Sequence, residues 1–145
     1  MLILALILGV QVCQAWKVAV ISDMHLNVKY RPDLSEKTFC EDNNGQAESA
    51  EMYAPYGRIG CDPPPLLLEK LLQRLNQTDG QIDILFLPGD FIGHSIPIEQ
   101  DQPFDITKYQ QLQDVHTKIS DLLAKYLPNT LMIPTFGNND WLYHY

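Results

Sequence analysis

Three short blocks in this chain carry residue types able to do metal chemistry: Asp23-Met24-His25, Gly89-Asp90 and Gly137-Asn138-Asn139-Asp140. Carboxylate, amide and imidazole groups are the ligands of divalent cations that activate water and hold phosphate oxygens. Two such ions, roughly 3.5 to 4 Å apart, can share one bridging carboxylate. Taken singly the blocks are ordinary, since an Asp-x-His pair is commonly polar surface and Gly-Asp or Gly-Asn commonly marks a turn. Their order and placement set them apart, because each follows directly on an apolar run. A glycine before Asp90 and another before Asn138 would let the backbone turn tightly at those points.

The runs that would position them read as strands. Lys17 to Ser22 is short and β-branched, Ile82 to Pro88 is nearly continuously apolar, the pattern of a strand covered on both faces, and Thr130 to Phe136 is the third. Between the first two, Asp62 is placed to cap a helix with Pro63 and Pro64 in its first turn and Pro65 tolerated there. Leu66, Leu67, Leu68, Leu71, Leu72 and Leu75 give that helix a wide apolar stripe, and Asp79-Gly80 ends it. Between the second and third, Asp105 caps a helix in which Leu112, Val115, Ile119, Leu122 and Tyr126 recur at steps of three and four, ending near Pro128. The order β-α-β-α-β predicts an α/β fold with a parallel sheet, right-handed crossovers and a site at the carboxyl ends of the strands. Residues 30–61, rich in Asn, Glu, Asp and Gly and without a sustained period, read as a polar surface insertion.

Composition narrows the class. The 145 residues carry 18 Asp plus Glu against 10 Lys plus Arg, a net charge of −8, so no broad basic face or groove exists for nucleic-acid phosphates. At 46% hydrophobic and 19% charged residues, the chain is expected to fold around one moderate core. Met1 to Val12 is apolar except for Gly9 and Gln11 and is followed by Cys13-Gln14-Ala15, which resembles a signal peptide cut after Ala15, although no basic residue opens it. The run is shorter than the roughly 17 to 25 residues of a membrane anchor, so no stable transmembrane span is expected. Residues 16–145 would then form the mature chain, secreted or delivered to a lysosome or vacuole. It keeps Cys40 and Cys61, an even number in an oxidising compartment, and a disulfide between them is expected. Two separate thiols are the alternative, and a zinc pair is disfavoured by the lack of a short Cys-x-x-Cys spacing. Asn76-Gln77-Thr78 is an N-glycosylation acceptor of the kind found in exported chains. Nothing in the sequence sets an oligomeric state.

The three blocks together resemble the calcineurin-like binuclear metallophosphoesterases, whose successive motifs read Asp-x-His, Gly-Asp and Gly-Asn-His-Asp/Glu. Tyr56-Gly57, Gly60-Cys61-Asp62, Pro64, the Leu-Leu-Glu run ending at Glu69, and His94 four residues after Asp90 are similar to the acid sphingomyelinase-like phosphodiesterase branch. The resemblance runs from about Lys17 to Tyr145. It implies the amino-terminal, β-α-β-α-β half of a four-layer sandwich, truncated, with an uncovered sheet edge and a missing layer. It also implies two divalent metal ions, Zn²⁺ by preference, with Asp23 and His25 on the first, Asp90 bridging and Asn138 on the second. His94 would then stand near the leaving group as a general acid. Read without the resemblance, His94 is a loop histidine near Pro97.

The sequence departs from that pattern at Asn139, which stands where the family has histidine. An amide can donate a hydrogen bond to a phosphoryl oxygen but cannot transfer a proton near neutral pH, so the acid falls to His94, or to His144 a few residues on. An Asn-Asn-Asp block followed shortly by histidine also resembles the polyphosphate-cleaving members of the branch. The family's later histidines, one alone and then a Gly-His-x-His block, find no counterpart here, which implies an under-ligated second metal. His116, in mid-helix, reads as a solvated helix residue. The resulting expectations are a metal-dependent hydrolase of a phosphodiester, with a phosphoanhydride hydrolase or a non-catalytic binding module as the alternatives.

Overall fold

The computed structural model describes residues 15–42, 45–77, 81–96, 98–99, 103–141 and 143–144, the pairs 98–99 and 143–144 as backbone. Three strands, β1 (Val18–Val20), β2 (Ile84–Leu87) and β4 (Leu131–Pro134), form a parallel sheet in the order β1-β2-β4, with Val18, Ile84 and Leu131 in register. Helix α1 (Pro65–Gln77) connects β1 to β2, and helix α2 (Ile106–Tyr126) connects β2 to β4. The β-α-β-α-β order and the parallel sheet are therefore present. A second parallel pair, β3 (Ile98–Glu99) with β5 (Tyr143–His144), is too short to leave a periodic signal in the sequence. Among the described residues no helix is long and apolar enough to cross a membrane.

Both helices pack on one face of the sheet. Leu85 and Leu87 of β2, with Ala19 and Met132 beside them, meet Leu68 and Leu72 of α1 and Val115, Ile119, Leu122 and Leu123 of α2 in one core. Asp105 caps α2 as expected, its carboxylate accepting from the Thr107 N–H, and Leu127 closes the helix before Pro128. The two helices are tied across by Glu69, which accepts from Lys125 Nζ at 2.8 Å and from the Tyr126 hydroxyl at 2.6 Å. Those two donors favour the charged carboxylate and hold Glu69 below its ordinary range.

The structure departs from three expectations. First, β2 is not covered on both faces: Phe86 is exposed, and so are Val18, Val20, Leu131 and Ile133, which alternate onto the same side in register with it. A continuous apolar run implies burial of both faces only when a second layer lies over the outer one. Second, α1 buries only Leu68 and Leu72, with Leu75 partly covered, whereas Leu66, Leu67 and Leu71 are exposed. The stripe is wider than the face that α2 and the sheet can cover. Third, Asp62 is not the cap of α1. The helix starts at Pro65, whose fixed φ suits the first helical position, and Asp62 is released to bind elsewhere. The polar insertion has local structure of its own. A 3₁₀ turn at Glu36–Thr38 is capped by Ser35, a bridge joins Leu34 to Ser49, and Leu34, Ser35, Cys40 and Glu41 are buried.

Cys40 and Cys61 are joined as a disulfide. Asn76 lies exposed in the last turn of α1. The leader sequence to Gln14, Thr78 of the glycosylation tripeptide, the Asp79-Gly80 helix stop and the His144 side chain lie outside the described residues.

Candidate metal centre

The three blocks converge at the carboxyl ends of the sheet strands. One ligand atom each from Asp23, His25 and Asp90 lies within 4.8 Å of the others, Asp23 exposed and the other two half-buried. Asp23 follows β1 and Asp90 follows β2, so neighbouring parallel strands deliver them side by side. The backbone continues this alignment beyond the strands, with Asp23 N–H donating to the Gly89 carbonyl and His25 N–H to the Asp90 carbonyl. All three residues hold left-handed backbone, with φ of 53°, 38° and 55°. Residues other than glycine seldom adopt that conformation, and its concentration at one spot is a mark of a functional site.

Hydrogen bonds orient the ligands. His25 Nδ1 faces the Ile92 carbonyl at 3.1 Å, which makes Nδ1 the protonated nitrogen and leaves Nε2 for a metal, the usual arrangement for a ligating imidazole. Asp90 Oδ1 accepts from the Asn139 N–H at 3.0 Å, and the Ser22 hydroxyl donates to Asp23 Oδ2. Asp140 is buried and makes the largest contribution. Its carboxylate accepts from the N–H groups of Asp90 (2.8 Å), Phe91 (2.6 Å), Ile92 (3.3 Å) and Gly137 (2.7 Å), sewing the end of β2 to the end of β4. In the sequence Asp140 is simply the last residue of the third block. The available signal was a carboxylate at the end of a Gly-Asn-Asn turn, the position from which it can reach exposed backbone donors.

The glycines act by two different means. Gly89 has φ of 111°, as a tight turn requires, and a Cβ there would lie 2.2 Å from the Gly137 nitrogen. Gly137 has extended backbone with φ of −91°, so turning is not its task. A Cβ at Gly137 would lie 2.2 Å from Asp90 Oδ1, and glycine is needed there for close approach.

His94 is joined to the centre by stacking: its ring lies on that of His25, with centroids 4.1 Å apart and planes 20° from parallel. Beside it is a cavity of about 520 Å³ lined by Asn27, Phe39, Glu41, Asp62 and Ser95. Asn138 and Asn139 open the 3₁₀ turn Asn138–Asp140 that follows β4 after Thr135, Phe136 and Gly137, Asn138 exposed and Asn139 buried with its backbone on Asp90. His116 is not a solvated helix residue. It is half-buried, edge-on to Phe91 and Phe136, and burial pushes its imidazole below the ordinary range against the opposing pull of Asp140.

The Asp23, His25 and Asp90 side chains gathered at the exits of a parallel α/β sheet could hold a metal ion. No family model matches the chain. It is similar to a sphingomyelinase phosphodiesterase D of Dictyostelium discoideum, 34% identical over 85 residues that make up 59% of this chain and 17% of that protein. The similarity supports a sphingomyelin phosphodiesterase-like relationship, and the matched stretch spans less than a fifth of the relative's length.

Proposed function

We propose that this chain is the amino-terminal part of the catalytic domain of a metal-dependent phosphodiester hydrolase, a four-layer metallophosphoesterase sandwich when whole. The observation that carries the reading is the Asp23, His25 and Asp90 cluster at adjacent strand ends. The donor set fits a divalent ion: two carboxylates and one imidazole whose Nδ1 is already engaged are suited to Zn²⁺, and ligand atoms within 4.8 Å of one another need only small side-chain rotations. Asp23 and His25 would hold the first ion, Asp90 would bridge, and Asn138 would serve the second. Bound there, such ions lower the pKa of a coordinated water toward neutrality and polarise the phosphoryl group.

The remaining work falls to side chains of this chain. Asp140 fixes the backbone that carries Asp90, so the Asp90 carboxylate is aimed before any ligand arrives. His94, stacked on His25 and open on its outer side to the adjoining cavity, is placed to protonate the leaving oxygen. Asn139 would donate to a phosphoryl oxygen once substrate is bound. Cleavage after Ala15, the Cys40–Cys61 disulfide and glycan at Asn76 fit an exported or lysosomal protein together.

Turnover of a chromogenic phosphodiester by the complete protein tests the reading. Activity is expected to disappear on chelation, to return with Zn²⁺ and to be absent from Asp90→Asn. Unchanged turnover in that variant would end the metal assignment. Polyphosphate supplied as the competing substrate separates the phosphoanhydride alternative suggested by Asn139: preferential release of phosphate from polyphosphate would reassign the substrate class.

A further inference from the structure

Asp62 is spent neither on the metal cluster nor on the helix it precedes. It lies next to Cys61, which the disulfide ties to Cys40, and its carboxylate reaches 32 residues along the chain to His94. Oδ2 accepts from the His94 backbone N–H at 2.7 Å, and Oδ1 faces Nδ1 of the same ring at 2.7 Å. Asp62 is largely shielded while His94 is mostly exposed, so the carboxylate is the fixed member of the pair. Gly93 lets them meet, because a Cβ at that position would lie 2.9 Å from Asp62 Oδ2. Glu41, the neighbour of the other cysteine, accepts from the Ser95 hydroxyl at 3.2 Å and steadies the same loop one residue further on.

We propose that Asp62 is a positioning residue for His94, engaging Nδ1–H so that Nε2 of the doubly protonated ring carries the proton given to the leaving oxygen, and the neutral ring left behind is the Nδ1–H tautomer. This rests on the hydrolase reading for its purpose but not for its geometry. A carboxylate has only acceptors, so the ring nitrogen facing it must carry the hydrogen. His25 is fixed in the same sense by the Ile92 carbonyl. The two stacked imidazoles thus both tie down Nδ1 and present Nε2, one toward a metal and the other toward a leaving group.

The pairing makes a specific variant informative. In Asp62→Asn the His94 backbone N–H, which can only donate, must take the amide oxygen. The amide NH₂ is thereby turned toward Nδ1 and forces the proton onto Nε2. Nitrogen-15 imidazole spectra of the neutral ring in the complete protein, without added metal, are expected to show Nδ1–H in the parent and Nε2–H in Asp62→Asn. An Nε2–H ring in the parent, or the same tautomer in both, overturns the proposal, and the parent spectrum alone can do so should the variant fail to fold. Zn²⁺ affinity is expected to be the same in both proteins. Loss of metal binding from both would defeat the hydrolase reading and leave the ring assignment standing on its spectrum. For turnover, kcat on a diester with a poor leaving group is expected to fall about 10²- to 10⁴-fold at unchanged KM, while a nitrophenyl diester, which needs no acid, is little affected. An equal fall on both substrates would contradict the positioning role.

Discussion

The strand exits and the outer sheet face use the same three strands to opposite ends. At the exits the polar groups are heavily tied: Asp140 takes four backbone donors, Asp90 is held by Asn139, and His25 and His94 each have one nitrogen engaged. On the outer face Val18, Val20, Phe86, Leu131 and Ile133 present apolar side chains to solvent. The contrast teaches that order at the site comes from local clamps and from the helix-covered face, not from anything lying over the outer face. Rigidity and burial are therefore separable here, and substitutions in the two regions should behave differently.

The strongest test of that separation is Asp140→Ala, which strips the acceptor from four backbone N–H groups at once. It is expected to cost roughly 4 kcal/mol by urea denaturation and to abolish metal binding with it. Loss of metal binding at unchanged stability would show that the clamp aims Asp90 without supporting the fold. Next in size, Leu85→Ala on the covered face should cost about 3 kcal/mol, since Leu85 of β2 is fully buried in the core it shares with both helices. Gly137→Ala should cost about 2 kcal/mol and weaken metal binding, as the new methyl group must displace the Asp90 carboxylate.

Acid should act through His116. Its folded pKa lies below the unfolded value, so the unfolded state binds the proton first and stability falls as pH drops from the ordinary histidine range through the folded pKa. One proton contributes at most about 1.4 kcal/mol per pH unit, and thermal melts of His116→Phe against the parent should show that slope removed. The smallest effect is expected on the outer face, where Val20→Thr should change stability by no more than about 0.5 kcal/mol while lowering the binding of a hydrophobic dye. A large loss of stability there would mean that the outer face is packed in solution.

Much of this arrangement was legible in the residues. The apolar runs ending in Asp23, Asp90 and Asn138 gave the strands and their order, and the three-four spacing from Leu112 to Tyr126 gave α2 with its Asp105 cap. What escaped was non-local. Asp62 before three prolines looks like a helix cap, and only the fold shows it bound to a loop 32 residues on. The left-handed backbone at Asp23, His25 and Asp90 has no signature in side-chain type, because it is imposed by contacts between neighbouring strand ends. The exposed outer face was not readable from the apolar run, since hydrophobicity reports what a strand can bury and not what covers it; only the missing layer implied by the family resemblance pointed to it.

If Asp23, His25 and Asp90 share a divalent cation, removing one carboxylate must weaken its binding. Equilibrium dialysis of the parent chain and of Asp90→Asn against Zn²⁺, read by elemental analysis alongside a fold check by circular dichroism, measures it directly. Bound zinc is expected in the parent, with at least tenfold weaker binding in the equally folded variant. Equal zinc binding by the two proteins, or none by a folded parent, would contradict a shared cation.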